Sequence, residues 1–273
     1  MKTILVPVDF SDTSINAVRY AAQLAVQING KVMMLHAYQY PVIHPVNKGM
    51  ELTDEGVKEI NLKELARIKQ VVESEIPLVK LEYLIINGEL RGVINVFAEN
   101  FRTDLIVMGL SGAGKVKELL IGSNTLDVAA NTTIPVIIVP KKSKFKPVEK
   151  IALATDFRDV VANIPDTQVK LFLAATGARL HIVNVDYQHE YATVDTPMQS
   201  GLLEAMFQSW SPEYHFVEDY NVQEGLSRYI EANNINILIV VPHKQNMLHK
   251  LFMPNHTKQL VFHSKVPVMV VHE

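Results

Sequence analysis

Along the whole chain, short apolar runs alternate with longer amphipathic segments of helical length. In the first half the apolar runs are Ile4–Val8, Val32–Ala37, Leu81–Ile86, Leu105–Met108 and Val136–Val139. They are rich in Val, Ile and Leu with little alternation, as parallel strands covered on both faces are. Between them, a helix capped by Asp12 or Thr13 is expected to run through Ala17, Ala21, Leu24 and Ala25. Further helices are expected over Thr53 to Ser74, Leu90 to Asn100 and Asn124 to Asn131. This alternation predicts an α/β fold, a doubly wound parallel sheet with right-handed crossovers.

The pattern is written twice. Ile4-Leu5-Val6-Pro7-Val8-Asp9-Phe10-Ser11-Asp12 returns as Ile151-Ala152-Leu153-Ala154-Thr155-Asp156-Phe157-Arg158-Asp159. Ile134-Pro135-Val136-Ile137-Ile138-Val139 returns as Val266-Pro267-Val268-Met269-Val270-Val271. In that same register Asp104 to Gly109 faces Asn236 to Val241. Matches in one order indicate a duplicated unit. The expected domains are two tandem five-stranded parallel-sheet units, residues 1–143 and 147–273. The second carries a weaker helix around Gln199–Gln208.

Composition narrows the function classes. A chain of 273 residues with 48% hydrophobic content suits two globular domains. The absence of cysteine excludes disulfides, thiolate metal sites and cysteine nucleophiles, and fits a reducing compartment. The N-terminal apolar run ends at Asp9, too short for a signal peptide, and no later run has the length of a membrane span. A cytoplasmic protein is the expectation. The net charge of −3 gives no argument for nucleic acid or a membrane surface. The basic cluster Lys141 to Lys146 sits between the halves and reads as a solvated linker before a nucleic-acid patch.

The chemistry concentrates in Met108-Gly109-Leu110-Ser111-Gly112-Ala113-Gly114-Lys115, followed by Gly122-Ser123-Asn124-Thr125. The first glycines follow a buried strand at its carboxyl end, where open α/β sheets bind ligands. Glycine lets backbone N–H groups approach phosphate oxygens, and it permits positive φ. Gly122-Ser123 precedes a helix, whose free N–H groups and dipole favour an anion; the Ser123 and Thr125 hydroxyls can add donors. The bland alternative is that these glycines simply make turns. Gly109 to Lys115 is nearly a Walker A loop, but Val116 stands where Ser or Thr should hold magnesium. The loop also follows the fourth strand rather than the first, and Val139 leads to Pro140, not to a Walker B carboxylate. A P-loop phosphohydrolase does not fit.

On these residues the sequence resembles a tandem universal stress protein. The ATP-binding branch of that family carries Gly, two residues, Gly, nine residues, then Gly and Ser or Thr. Gly109, Gly112, Gly122 and Ser123 have that spacing. Pro7-Val8-Asp9-Phe10-Ser11 matches its opening and Pro135-Val136 its closing strand. The resemblance covers both halves and implies the adenine-nucleotide α-hydrolase-like fold, with ATP across the ends of strands one, two and four. It places Pro7, Val8 and Asp9 along the nucleotide and the Ala37 backbone at adenine. Met108, Gly109 and Gly112 would line ribose and phosphates, with Gly122, Ser123, Asn124 and Thr125 at the phosphate tail. A carboxylate near a triphosphate must meet a cation or a donor, so Asp9 with Mg2+ is one reading. The other is a residue that shapes a strand–helix turn.

In the second copy Val241-Pro242-His243-Lys244 replaces Gly109 to Gly112, and Pro254-Asn255 replaces Gly122-Ser123, while Thr257 keeps the place of Thr125. Proline lacks an N–H, and Val241 and Lys244 carry side chains where a bare backbone was needed. This half is not expected to hold ATP in the family's manner. It carries most of the histidines: His181, His189, His215, His243, His249, His256, His263 and His272. His249, His256 and His263 are evenly spaced, but Pro254 interrupts any shared helix. Zinc is conceivable, and solvated or capping roles are the plainer reading.

Three functions from different classes stand open. The first is an ATP-dependent stress or regulatory module with little or no hydrolysis, for want of a general base, an arginine finger and a Walker B carboxylate. The second is a slow phosphohydrolase or adenylating enzyme, although Asp9-Phe10-Ser11-Asp12 stands where adenylating enzymes carry Ser-Gly-Gly-x-Asp-Ser. The third is a small-ligand or zinc-binding scaffold. Tyr38 to Met50 could be a lid over the nucleotide or a packing loop. The last strands of the two halves, Val136–Val139 and Val268–Val271, could pair as an internal pseudo-dimer, with a homodimer left open.

Overall fold

The computed structural model describes residues 1–40, 53–100, 102–110, 123–186, 196–242, 261 and 263–272; the side chains of 98–100, 123 and 196 are outside that description. The first half runs β1 (Thr3–Pro7), α1 (Asp12–Gln27), β2 (Lys31–Tyr38), α2 (Asp54–Glu75), β3 (Leu81–Asn87), α3 (Leu90–Asn100), β4 (Leu105–Leu110), α4 (Ser123–Asn131) and β5 (Val136–Pro140). The second runs β6 (Lys150–Ala154), α5 (Val160–Asn163), α6 (Asp166–Thr176), β7 (Arg179–Asp186) and α7 (Thr196–Phe207). It continues through β8 (Glu213–Glu218), α8 (Val222–Asn233), β9 (Ile237–Val240) and β10 (Val268–Val270).

Each half is doubly wound and parallel, as the apolar pattern predicts. The two sheets are nevertheless continuous, in the order β3-β2-β1-β4-β5-β10-β9-β6-β7-β8, so the molecule has one ten-stranded sheet. At its centre β5 and β10 run antiparallel, with Val136 opposite Val270, Ile137 opposite Met269 and Ile138 opposite Val268. Alternate residues of each strand enter two cores. Ile4 and Val6 pack with Ala17, Ala21 and Leu24 of α1 and Leu65 of α2. Leu5, Ile106 and Met108 face Val93, Ile94 and Phe97 of α3 and Val128 of α4. Phe172 of α6 and Leu203 and Phe207 of α7 extend the first core, and Leu226, Tyr229 and Ile230 of α8 extend the second.

Strand starts are tied the same way in both copies. The Asp104 carboxylate accepts the N–H groups of Lys2 and Thr3, at 2.8 and 2.9 Å. The Asn236 side-chain oxygen accepts those of Glu149 and Lys150, both at 3.0 Å. The helix that follows each first strand differs. In α1 the cap is Ser11, one residue before the expected Asp12 or Thr13: its hydroxyl accepts the Ser14 N–H at 3.2 Å. The turn that precedes α1 already uses Ser11, and this fixes the cap one step earlier. In the second copy Pro165 forces Ile164 to extended backbone, φ −98° and ψ 114°, and splits the helix into α5 and α6. The start of α5 has no side-chain cap of its own; the Gln199 oxygen from α7 accepts the Val160 N–H instead.

Polar bonds also join the halves across the linker. Gln27 at the end of α1 donates to the Val148 carbonyl at 3.0 Å and accepts the Val148 N–H at 2.9 Å. Gln168 donates to the Thr133 carbonyl, and Asn16 holds the start of the linker through the Ser143 carbonyl. The largely buried His272 donates from Nε2 to the Ala129 carbonyl. Burial lowers the His272 pKa below its usual 6.5, and the bond to Ala129 only partly opposes this. A group with a lowered pKa in the fold favours its neutral form, so its contribution is whole above pH 6.5 and is lost as pH falls through the folded value. Two outcomes follow. Gln27→Ala should cost about 1–3 kcal/mol in urea denaturation, because it leaves the Val148 N–H without its partner. The melting temperature should fall between about pH 7.5 and about pH 5.5, and the fall should be smaller in His272→Gln.

Candidate functional site at the strand ends

Two crossovers leave β1 and β4 in opposite directions. The helix after β1 lies on one face of the sheet and the helix after β4 on the other, so a crevice opens between their carboxyl ends. Pro7 and Val8 are buried at the end of β1, and Asp9 emerges to solvent. Asp9 Oδ1 accepts the Ser11 N–H at 3.0 Å and the Ser11 hydroxyl at 2.5 Å, while the Asp9 N–H reaches Ser14 Oγ at 3.4 Å. Partial burial works to raise the Asp9 pKa, but the bonds from Ser11 and Ser14 outweigh it and hold the carboxyl below its usual 3.8. Between Asp9 and Ser11 the chain turns through Phe10 at φ 65°, with the Phe10 ring 4.4 Å from the His36 ring. His36 donates from Nδ1 to the Val8 carbonyl at 2.7 Å, which fixes the tautomer with the proton on Nδ1.

Gly109 occupies a place that no side chain fits. A Cβ there would stand 2.3 Å from the Thr13 carbonyl oxygen and 2.6 Å from its carbon, so the end of β4 lies directly against the first turn of α1. From the other face, the buried Thr125 of α4 donates its hydroxyl to the Gly109 carbonyl at 2.9 Å. That bond ties the start of α4 to the end of β4 and gives Thr125 a structural task. Met108, just before, is buried in the core with α3 and α4.

Ala37 at the end of β2 and the exposed Asn124 of α4 line one cavity of about 300 Å³, with Gly88, Leu90, Arg91 and Asp127. Gly88, at φ 150°, takes a backbone conformation that favours glycine, and Asn87-Gly88 at a strand end is the sequence signal for it. Asp9 lies outside that lining. Pro7, Val8, Asp9, Ala37, Met108, Gly109, Asn124 and Thr125 therefore gather at one end of the sheet. Gly112 and Gly122 lie outside the described residues, as does most of the stretch Tyr38 to Met50; Ser123 opens α4. A second cavity, of about 460 Å³, lies between α1 and α2 beside Lys141. Its arginines are already paired, Arg19 with Glu75 and Arg67 with Glu64.

The second copy repeats the turn. Asp156 Oδ1 accepts the Arg158 N–H at 3.0 Å, and Phe157 has φ 55° with its ring stacked on Phe216. Asn184 donates to the Thr155 carbonyl at 2.9 Å, as His36 does to Val8. His243, Lys244, His249, Pro254, Asn255, His256 and Thr257 lie outside the described residues, as does His189.

Fold and strand-end crevice together define a duplicated, doubly wound α/β protein. The universal stress protein family model matches residues 1–140 and again 148–272, and the chain belongs to that family as a tandem member. The universal stress protein MJ0531 of Methanocaldococcus jannaschii is 31% identical over 145 residues, covering 52% of this chain and 84% of that one. A universal stress protein of Thermus aquaticus is 31% identical over 139 residues, covering 50% of this chain and 98% of that one. Over nearly the full length the fold matches the crystal structure of a universal stress protein from Archaeoglobus fulgidus. The TM-score is 0.69 at 19% identity, with 99% of this chain and 98% of that one covered.

Gly109→Ala should destabilise the first half by about 1–3 kcal/mol, the usual cost of overpacking, because the obstacle is backbone rather than a flexible side chain. Thermal or denaturant unfolding measures it, and an unchanged midpoint would mean that α1 is free to retreat.

Proposed function

We propose that the first half binds ATP at these strand ends and that the chain acts as a nucleotide-dependent stress or regulatory module with little or no hydrolysis. The observation that carries the reading is the shared cavity of Ala37 and Asn124, which sets the end of β2 beside the first turn of α4. Its volume, about 300 Å³, lies at the lower end of the range for small-ligand sites. An adenine ring would meet the Ala37 backbone, and the phosphates would meet the free N–H groups and positive dipole end of α4. Ser123, Asn124 and Thr125 open that helix, and Gly112 and Gly122 precede it in sequence. Pro7 and Val8 would wall the crevice, and Met108 and Gly109 its floor.

Asp9 favours cation binding over base catalysis. A carboxyl held ionised by its hydrogen bonds is a weak base at neutral pH, but it offers a negative oxygen to Mg2+ beside a triphosphate. In this reading the second half, without the loop glycines, holds no ATP. Residues 1–143 and 147–273 are then one loaded and one unloaded unit, and the antiparallel pairing of β5 with β10 acts as the junction of an internal dimer. No described helix is long and apolar enough to cross a membrane. Together with the lack of cysteine, this supports a cytoplasmic location.

Calorimetric titration of the whole chain with ATP and Mg2+ should give one site per chain. Ala37→Leu, which fills the cavity, should weaken binding by more than about tenfold without lowering the melting temperature. Two equivalents per chain would refute the one-site reading, and phosphate release at several turnovers per minute would refute the non-hydrolytic one.

A further inference from the structure

The opposite end of the second half holds a different cluster. β7 and β8 pair in parallel with His181 opposite Glu213 and Val183 opposite His215. Side chains two apart on a strand share a face, so His181, Glu213 and His215 all project to one side. It is the side of α8, where Val183 and Val185 pack with Leu226, Tyr229 and Ile230. One ligand atom from each of the three lies within 4.8 Å of the others. Glu213 Oε2 is 3.6 Å from His215 Nε2 and 4.0 Å from His181 Nδ1.

These separations are too long for hydrogen bonds and close to those a metal would set. Two ligands each about 2.1 Å from one tetrahedral centre stand about 3.4 Å apart, so Glu213 and His215 are already near that spacing and His181 would have to draw in. The His215 Nε2 atom is buried and has no hydrogen-bond partner, an arrangement that costs stability unless something occupies it. The His181 side chain is 3% exposed, and its ring stacks on that of His215 with centroids 5.3 Å apart. Burial, aided by the nearby positive groups and opposed by Glu213, lowers the His181 pKa and keeps the imidazole neutral, the form that ligates. The Tyr229 hydroxyl, 2.8 Å from His181 Nδ1, must turn away when that nitrogen takes a metal. Glu213 is half exposed, and it opens a path for an ion from solvent.

We propose that His181, Glu213 and His215 form a zinc site in the second half, supplying its three protein ligands among the described residues. Two imidazoles and a carboxylate suit zinc over calcium or magnesium, which favour all-oxygen shells. The site stands at the amino ends of β7 and β8, far along the sheet from the proposed ATP crevice, and does not depend on that reading.

The test is competition for Zn2+ between the full-length, metal-stripped protein and a chromophoric chelator, with Co2+ absorption as the probe of geometry. The wild type should take up one Zn2+ that is weakened by His215→Ala, by Glu213→Gln and by His181→Ala. Each loss should exceed the roughly 10- to 100-fold that removal of a supporting residue costs. His249→Ala and His256→Ala should leave it unchanged, and Co2+ should show the intense visible bands of a four-coordinate centre. His181 is buried and its variant could misfold; His215→Ala and Glu213→Gln, at more exposed positions, carry the test in that event, with circular dichroism as the control. The proposal fails if the wild type takes up no Zn2+ at micromolar concentration. It fails equally if His215→Ala and Glu213→Gln bind Zn2+ as the wild type does.

Discussion

The pairing of β5 with β10 is the constraint on which the rest of the molecule depends. Each half ends in a strand made almost wholly of apolar residues, Val136 to Val139 and Val268 to Val271. As an open edge either strand would present unpaired N–H and C=O groups between two greasy faces, an invitation to association. Paired, they satisfy each other's backbone and merge the cores on both faces of the sheet, so Ile137 and Met269 belong to a single buried cluster. The Gln27–Val148 pair and the His272–Ala129 bond hold the helices and the linker to that junction.

Within this frame the two copies share backbone devices and differ in side chains. Both keep a carboxylate that accepts the N–H two residues on, a left-handed Phe, and a side chain of the second strand bonded to the end of the first. The turn therefore serves the fold in both halves, whatever else Asp9 does in the first. What separates the copies is the approach of helix to strand. Gly109 allows α1 to lie against the end of β4, and α1 runs unbroken from Ser11; Pro165 breaks the corresponding helix in the second half. The first half combines the glycine with the unbroken helix, whereas in the second Val241 takes the glycine's place and the helix is split.

The strands and most helices were legible because their signals are local: runs of Val, Ile and Leu, and the repeat that sets one half against the other. Leu90 to Asn100 was readable to the residue, and Thr53 at the start of the second helix is its cap, with the hydroxyl accepting the Gly56 N–H. The gathering of Asp9, Ala37, Gly109 and Asn124 at one sheet end was also foreseeable, since a doubly wound sheet brings those strand ends together. Less was readable where a side chain's task depends on a distant partner. Ser11 displaced Asp12 as cap because Asp9 had already drawn it into a turn, and Gln199 capped a helix nearly forty residues earlier in the chain. Gly109 drew notice as a loop glycine, yet its measurable constraint is the Thr13 carbonyl behind it.

The histidines show the same limit from the other side. Even spacing drew attention to His249, His256 and His263, whereas the cluster the fold assembles comes from the register of two strands. Glu213-Tyr214-His215 has the period of a strand, and His181 joins it only because β7 and β8 pair where they do. Such a site has no single motif to find, and chance alone rarely buries a histidine nitrogen beside a second imidazole and a carboxylate without giving it a hydrogen bond. Duplication makes the location intelligible. The second half serves the central junction through β10, and its histidine cluster stands apart from that junction at the amino ends of β7 and β8. Change there leaves β5 and β10 untouched, because β6 and β9 lie between β7 and the junction strand β10.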